Sequence, residues 1–160
     1  MKINLTQNKN FKLFKIISKV AQENNQTVYI VGGYVRDLLM QRKAPTDIDF
    51  VTEQSGIELA KAVGKELGDL KVSVFKTYGT AMIKYKDLDL EFVGARKESY
   101  SEDSRKPAVE TGTLEDDQKR RDFTVNALAI SLNAENFGEL IDPFNGREDM
   151  QNKILRTPLE

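Results

Sequence analysis

The sequence predicts one domain of mixed α and β structure, and three observations lead to that prediction. Apolar residues recur at helical spacing near the start of the chain, short apolar runs of strand length follow, and a polar turn separates two of those runs. The first pattern is typical of an amphipathic helix, and the other two are typical of strands and hairpins. A chain of 160 residues is long enough to bury a core within one domain.

Helices and strands alternate in the first half of the chain. The apolar face of the first helix is formed by Phe11, Phe14, Ile17, Val20 and Ala21. That helix ends at Asn24-Asn25, and a buried strand follows at residues 27–31. Gly32-Gly33 then turns the chain into a short helix at residues 34–40. A strand at residues 47–51 precedes a helix that Ser55 caps and that ends near Gly68.

The second half begins with three predicted strands, at residues 71–75, 81–85 and 88–93, of which the last two form a hairpin. Residues 97–118 are polar and show neither period, which is typical of a functional or disordered loop. The prediction ends with a helix at residues 123–132, a short strand at 138–141 and a last turn of helix at 147–152.

The chain contains no cysteine and no histidine. This composition excludes disulfides, zinc fingers and catalytic centres built on Cys–His or Ser–His–Asp. A metal must therefore be held by oxygen ligands, which favours Mg²⁺, with Mn²⁺ as a substitute. Catalysis is left to carboxylates, arginine, lysine and backbone amides.

The charge and hydropathy of the chain restrict its partners. The net charge is −1, so this is not a basic surface that grips RNA without specificity. No segment has the run of about 18 apolar residues that a membrane span needs, and the first residues do not form a secretory signal. We therefore expect no membrane partner and a cytoplasmic location.

The motif Thr46-Asp47-Ile48-Asp49-Phe50 gives the strongest local signal. Side chains alternate along a strand, so Asp47 and Asp49 share one face, with Cα atoms about 6.6 Å apart. At an effective dielectric near 20, their charges repel by roughly 2–3 kcal/mol, and a divalent cation would turn that repulsion into a chelate. The alternative is a pair of solvated acids at the end of a strand.

A second strand repeats this alternation, with Asp89 and Glu91 on one face. If it lies beside the first strand, Glu91 completes a cage of three carboxylates. Phosphoryl transfer with two metal ions uses such a cage. The alternative for Glu91 is ordinary polarity on the surface of a strand.

Gly32 and Gly33 stand between a strand and a helix. Glycine lets the backbone approach a phosphate closely, and Arg36 lies one turn into the helix, where its guanidinium could reach the same phosphate. The alternative is a tight turn followed by a solvated arginine. The sequence contains neither a P-loop nor a dinucleotide-binding glycine motif.

Lys119-Arg120-Arg121 follows the polar segment and is expected to open the next helix. A basic triplet at that place could hold a triphosphate, while Asp122 or Asn126 could contact a sugar hydroxyl. The alternative is a solvated first turn of helix.

Five stretches, taken in order, resemble the class II tRNA nucleotidyltransferase (CCA-adding enzyme) and bacterial poly(A) polymerase family. They are IVGGYVRDLL, APTDIDFV, LEFVGARKESY, LEDDQKRRDFTVNALAI and IDPFNGREDMQNKILR, and they span residues 29–156. The resemblance implies a DNA polymerase β-like palm, a small mixed sheet of about five strands backed by helices, forming an α+β domain.

The resemblance also implies roles for individual residues. Asp47, Asp49 and Glu91 correspond to the catalytic metal ligands of the family. Its nucleotide contacts correspond to Gly32, Gly33, Arg36, Asp37, Arg121, Asp122 and Asn126. The family's mobile loop corresponds to the segment between Lys97 and Gln118.

The implied function is template-independent addition of AMP or CMP from ATP or CTP to a tRNA 3′ end, by a mechanism with two metal ions. Residues 1–160 are expected to form only the head domain, since the family's EDxxR neck motif is not found after ILRTPL and the body and tail regions are absent. Met40-Gln41 also stands where the family often has Leu-Gly.

Three alternatives remain open at this point. The first is a poly(A) polymerase that adds AMP to RNA 3′ ends, because the motifs present are common to both branches. The second is a catalytically silent module that binds nucleotide or RNA. The third is a small nucleotidyltransferase that modifies a drug or a protein, although such enzymes usually carry Gly-Ser in place of Gly32-Gly33.

Overall fold

A computed structural model of the chain describes residues 1–99 and 108–158, with side chains described outside 97–99 and 108–110. The helices are α1 (Phe11–Glu23), α2 (Gly33–Leu39), α3 (Gly56–Glu66), α4 (Leu114–Lys119) and α5 (Gly146–Gln151). The first strands are β1 (Tyr29–Val31), β2 (Asp47–Thr52), β3 (Val72–Phe75), β4 (Thr80–Tyr85) and β5 (Leu88–Gly94). The later strands are β6 (Arg96–Ser99), β7 (Ala108–Thr111), β8 (Ala129–Ser131) and β9 (Leu140–Ile141).

Seven strands form the main sheet, in the order β3-β4-β5-β2-β1-β8-β9, and β6 pairs with β7 in a separate hairpin. In the main sheet, only β2 and β5 are parallel to each other, and the remaining pairs are antiparallel. The sheet is therefore mixed, as expected, although it has seven strands rather than about five.

The main core lies on the face of the sheet that α1 and α3 cover. Phe50 of β2 and Phe92 of β5 stack there with ring centroids 5.0 Å apart, and Phe14 of α1 meets Phe50 edge to face. All three side chains are fully buried. A smaller cluster lies on the opposite face and is formed by Val31, Val51, Ala95, Leu114 and Ala129.

Most predicted elements are confirmed within one to three residues at their ends. Ser55 caps α3 by accepting a hydrogen bond from the Glu58 amide at 3.1 Å. The hairpin of β4 and β5 is confirmed, and so are the short strand β9 and the last helix α5. None of the helices in the described ranges is long and apolar enough to cross a membrane.

Two predictions are wrong. Residues 123–132 are not a helix: they form a 3₁₀ turn, Thr124–Asn126, followed by β8. Every residue of β8 is buried because both faces of the sheet are covered there: Ile130 packs in the main core and Ala129 in the smaller cluster. The alternation that marks a half-buried strand is therefore absent. Its alanine-rich sequence favours a helix locally, and sheet pairing overrides that preference.

The segment at residues 97–118 is also more regular than predicted. It contains β7 and most of β6 and α4, and α4 begins with a capping box between Thr113 and Asp116. Arg120 and Arg121 therefore follow the end of α4 and do not open a helix. Residues 100–107 of the predicted loop lie outside the described residues.

Candidate active site

The parallel pairing of β2 with β5 brings two acidic strands together. Asp49 lies opposite Glu91 in the register, and Asp47 lies opposite Asp89. Neighbouring strands are about 4.8 Å apart, so residues in register on one face can touch. The carboxyl groups of Asp49 and Glu91 therefore lie close enough to influence each other directly.

The surroundings of these two groups disfavour their charged forms. Burial raises the pKa of Asp49 above its usual range, the Asp47 charge adds to that rise, and the Arg121 charge opposes it. Burial also raises the pKa of Glu91, and the neighbouring Asp49 charge raises it further. Two carboxylates held together in a partly buried place repel each other unless a proton or a cation lies between them.

This donor set fits a hard divalent cation, since all of its ligands are carboxylate oxygens. Asp47 shares the face of Asp49 but lies at the exposed start of β2. Within residues 1–99 and 108–158, no three acidic, histidine or cysteine side chains are gathered closely enough to hold a metal. Asp49 and Glu91 are thus in contact, while Asp47 must reorient to join them.

The glycine turn lies directly beside Asp49. Gly32 has φ +75° and ψ −140°, a conformation that only glycine adopts without strain. A Cβ at this position would lie 3.4 Å from Arg121 Nη1 and 3.8 Å from Asp49 Oδ2. Gly32 therefore allows the backbone, the arginine and the carboxylate to converge.

Arg36 folds back over Gly33 and connects the glycine turn to the turn after α4. Its Nε donates to Asp37 Oδ1 at 3.1 Å, and its Nη1 donates to Asn126 Oδ1 at 2.8 Å. Asn126 Nδ2 in turn donates to Asp122 Oδ1 at 3.0 Å. This last hydrogen bond is the first cause of the lowered pKa of Asp122. The predicted nucleotide contacts on both sides are thus joined in one polar network.

Asp117 organises the basic pair, and sequence reasoning missed it. Its side chain is 1% exposed and accepts hydrogen bonds from Arg120 Nη2 at 3.1 Å and from Arg121 Nε and Nη2 at 3.2 and 3.0 Å. One buried carboxylate thus fixes two guanidinium groups, which leaves one net positive charge. The signal was present in the spacing, because residues three and four apart on a helix lie on one side.

A cavity of about 390 Å³ lies between the carboxylates and these arginines. Its floor is formed by residues of β1, β2, β4 and β5, and its walls include Arg96, Asp117, Arg120, Arg121 and Asp122. Of the predicted site residues, Asp49, Glu91, Arg121 and Asp122 line it directly. The other predicted residues are not among those that line it, namely Asp47, Gly32, Gly33, Arg36, Asp37 and Asn126. Gly32 lies beside Arg121 and Asp49, and Asn126 connects Arg36 to Asp122. Arg120 was predicted only as a member of the basic triplet at residues 119–121, and Arg96 was not predicted at all.

A sheet face with paired acids on neighbouring strands, facing an arginine-lined cavity beside a glycine turn, is suited to a phosphate ligand held together with a divalent cation. Residues 28–156 match the family described as the poly(A) polymerase head domain. The chain belongs to this family.

Relatives and solved structures agree with that assignment. The A-adding tRNA nucleotidyltransferase of Aquifex aeolicus is 46% identical over 129 residues, covering 81% of this chain and 15% of the relative. Further relatives are named CCA-adding enzymes. This chain thus spans only a part of the proteins it resembles.

Two solved structures show that the fold is shared. A tRNA-processing enzyme in an apo form has a TM-score of 0.85 and 39% identity, covering 99% of this chain and 38% of that one. A tRNA nucleotidyltransferase complexed with a primer tRNA and an incoming ATP analogue has a TM-score of 0.77 and 42% identity, covering 89% and 38%. The chain therefore has the nucleotidyltransferase fold of these enzymes. The nucleotidyltransferase family generally uses divalent metal ions.

Proposed function

We propose that this chain is the catalytic head of an enzyme that transfers AMP or CMP from ATP or CTP to the 3′ end of a tRNA. The observation that carries the proposal is the register of Asp49 with Glu91 on β2 and β5, facing a cavity lined by Arg120 and Arg121. The names of the relatives supply the substrate class. The enzyme would act in the cytoplasm.

The proposed reaction forms a bond between the RNA 3′-oxygen and the α-phosphorus of the nucleotide. The bond from that phosphorus to the β-phosphate oxygen breaks, pyrophosphate leaves, and no covalent enzyme intermediate forms. Asp47, Asp49 and Glu91 would hold Mg²⁺, which Mn²⁺ could replace. When bound, the metal would promote ionisation of the 3′-hydroxyl and neutralise the triphosphate.

The remaining residues of the site would bind and orient the nucleotide. Asp117 holds Arg121 so that its positive charge lies close to Asp49. The negative charge of the phosphates would lie at this place. Gly32 and Gly33 would let the triphosphate approach the backbone, with Arg36 and Asp37 shaping that turn. Asp122 and Asn126 are hydrogen-bonded to each other and would contact the ribose.

Other domains would select the nucleotide and supply most of the binding affinity for RNA. The net charge of −1 leaves little general attraction for a polynucleotide. The relatives are several times longer than the matched region, which is consistent with neck, body and tail domains beyond this head. We expect the isolated head to bind metal and nucleotide but to add CCA inaccurately.

Poly(A) addition is a second candidate, because the matched family is described by that activity. Full-length enzyme supplied with tRNA and with an unstructured RNA would separate the two functions. Additions confined to the tRNA 3′ end would support the first candidate. A long adenylate tail on both RNAs would support the second.

The proposal is tested by following thermal unfolding with Mg²⁺ or Mn²⁺, with and without ATP or CTP. A ligand at a hundredfold excess over its Kd stabilises the folded state by about 2.7 kcal/mol. We expect metal and nucleotide together to raise the midpoint of the wild type, but not that of the double variant Asp47→Ala/Asp49→Ala. If neither protein responds to metal, the carboxylates do not form a metal site, and a catalytically silent binding module becomes the better account.

A further inference from the structure

Arg96 is the first residue of β6 and lies between two cavities. It lines the active-site cavity and also a second groove of about 260 Å³. Its Nε is buried, yet within residues 1–99 and 108–158 it has no hydrogen-bond partner. None of the ion pairs found in those ranges includes this side chain. A buried guanidinium nitrogen without an acceptor is suited to an anionic group that arrives with a ligand.

The second groove has the features of a surface for single-stranded nucleic acid. It runs between the start of α3 and the 3₁₀ turn Lys76–Tyr78, which follows β3. The Tyr78 side chain lines the groove, and this residue is 62% exposed. The lining residues that the structure describes include two cations, Lys76 and Arg96, and no carboxylate. Cations that track phosphates, with an aromatic ring that stacks on a base, are the usual means of binding single strands.

We propose that this groove binds the last nucleotides of the RNA strand that is extended. Tyr78 stacks on a base, and Lys76 and Arg96 contact backbone phosphates. The proposal rests on the function proposed above and adds an entry path for the RNA. The arginine at the Asp49 side of the cavity is Arg121, beside Gly32, whereas Arg96 lies where the cavity meets the groove. This placement favours the RNA strand over the incoming nucleotide as the source of the phosphate.

The experiment uses ¹⁵N-resolved NMR of the chain, in which the Nε–H group of each arginine gives its own signal. The probes are a pentaribonucleotide that ends in two cytidines and, separately, ATP with Mg²⁺. We expect the RNA to shift the Arg96 Nε–H signal and the amides of Thr77 and Gly79. We expect ATP with Mg²⁺ to shift the amides of Gly32 and Gly33 and to leave the groove signals in place.

Variants then measure the contributions of the groove residues. Tyr78→Ala should weaken RNA binding by about tenfold, because losing a stacked base costs roughly 5- to 150-fold in affinity. Arg96→Ala should lower the slope of log affinity against log salt by about 0.7, the value for one lost phosphate contact on a single strand. Arg96→Lys should keep most of that slope. ATP affinity should stay unchanged in Tyr78→Ala, whose ring lies outside the active-site cavity, and Lys19→Ala on α1 is the matched control for loss of a surface cation.

Two outcomes overturn the proposal while the proposed function stands. In the first, ATP with Mg²⁺ shifts Gly32 and Gly33, but RNA leaves the groove signals unchanged. In the second, ATP shifts the Arg96 signal and RNA does not, which shows that the phosphate in contact with Arg96 belongs to the nucleotide. If ATP with Mg²⁺ also fails to shift Gly32 and Gly33, the proposed function fails together with this inference.

Discussion

On one face of the main sheet, Phe50 and Phe92 stack in a dry core beneath α1 and α3. On the other face, the adjacent residues Asp49 and Glu91 repel each other beside a polar cavity. The same two strands supply both sets, because side chains alternate along a strand. Stability is therefore concentrated on the helix-covered face, and it holds the opposite face in an arrangement that the acidic side chains would not adopt by themselves.

The largest effect is expected from breaking the helix-covered face. Phe50→Ala removes a fully buried ring that contacts both Phe14 and Phe92. The free energy of unfolding should fall by about 3–5 kcal/mol, the usual cost of truncating a core aromatic residue. Urea unfolding followed by circular dichroism measures this change. Phe75→Ala is the control, since that ring is 46% exposed and its loss should cost far less.

A smaller effect is expected on the cavity side from Asp117→Asn. The substitution removes the charge that holds Arg120 and Arg121, and losing charged hydrogen bonds costs about 2–3 kcal/mol. Nucleotide affinity should fall as well, because Arg121 is no longer fixed beside Asp49. Isothermal titration with ATP and Mg²⁺ measures that loss. Unchanged affinity in a folded variant would show that Asp117 only stabilises the fold.

The smallest effect has the opposite sign and comes from Asp49→Asn without metal. A carboxyl group whose pKa is raised by folding stabilises the protein below its unfolded pKa, near 3.9, and this contribution is lost as the pH rises through the folded pKa. The variant should therefore be slightly more stable than the wild type at pH 7, with the difference disappearing below about pH 4.

Melting temperatures measured across this pH range, in the presence of a chelator, check the prediction. Adding Mg²⁺ should reverse the order, because the wild type alone retains the pair of carboxylates. Glu58→Gln provides a control from an exposed acid on α3. If Asp49→Asn is less stable than the wild type at pH 7 without metal, the acidic face does not lower the stability of the fold, and the contrast between the two faces is wrong.

The sequence predicted the acidic face well because alternation is a local property. Within each strand, the apolar neighbours showed that the acid, Asp49 or Glu91, points to the opposite, polar face. Whether the two acids meet depended on the pairing of β2 with β5. That pairing was raised as a condition and is confirmed. The metal and nucleotide roles of the site residues stay predictions.

The remaining features could not be predicted because they depend on tertiary structure. β8 is buried on both faces, so its sequence lacks the alternation that marks a half-buried strand. Asp117 stood in the polar segment at residues 97–118 that resembled a loop, and Arg96 lies directly before that segment. Asp117 is important because it is buried within α4, and Arg96 because it lies at the junction of two cavities. Burial and cavities both depend on how distant segments pack.

The parallel pairing of β2 with β5 also has a consequence for folding. Asp49 and Glu91 are 42 positions apart in the chain, and α3, β3 and β4 all lie between them. Contacts between distant positions form slowly, because a long loop must close before they contribute stability. The carboxylate pair therefore forms only after the chain between β2 and β5 has folded, so under the proposed function a partly folded chain would lack the metal site. Metal binding would then report that the nascent domain has completed its topology.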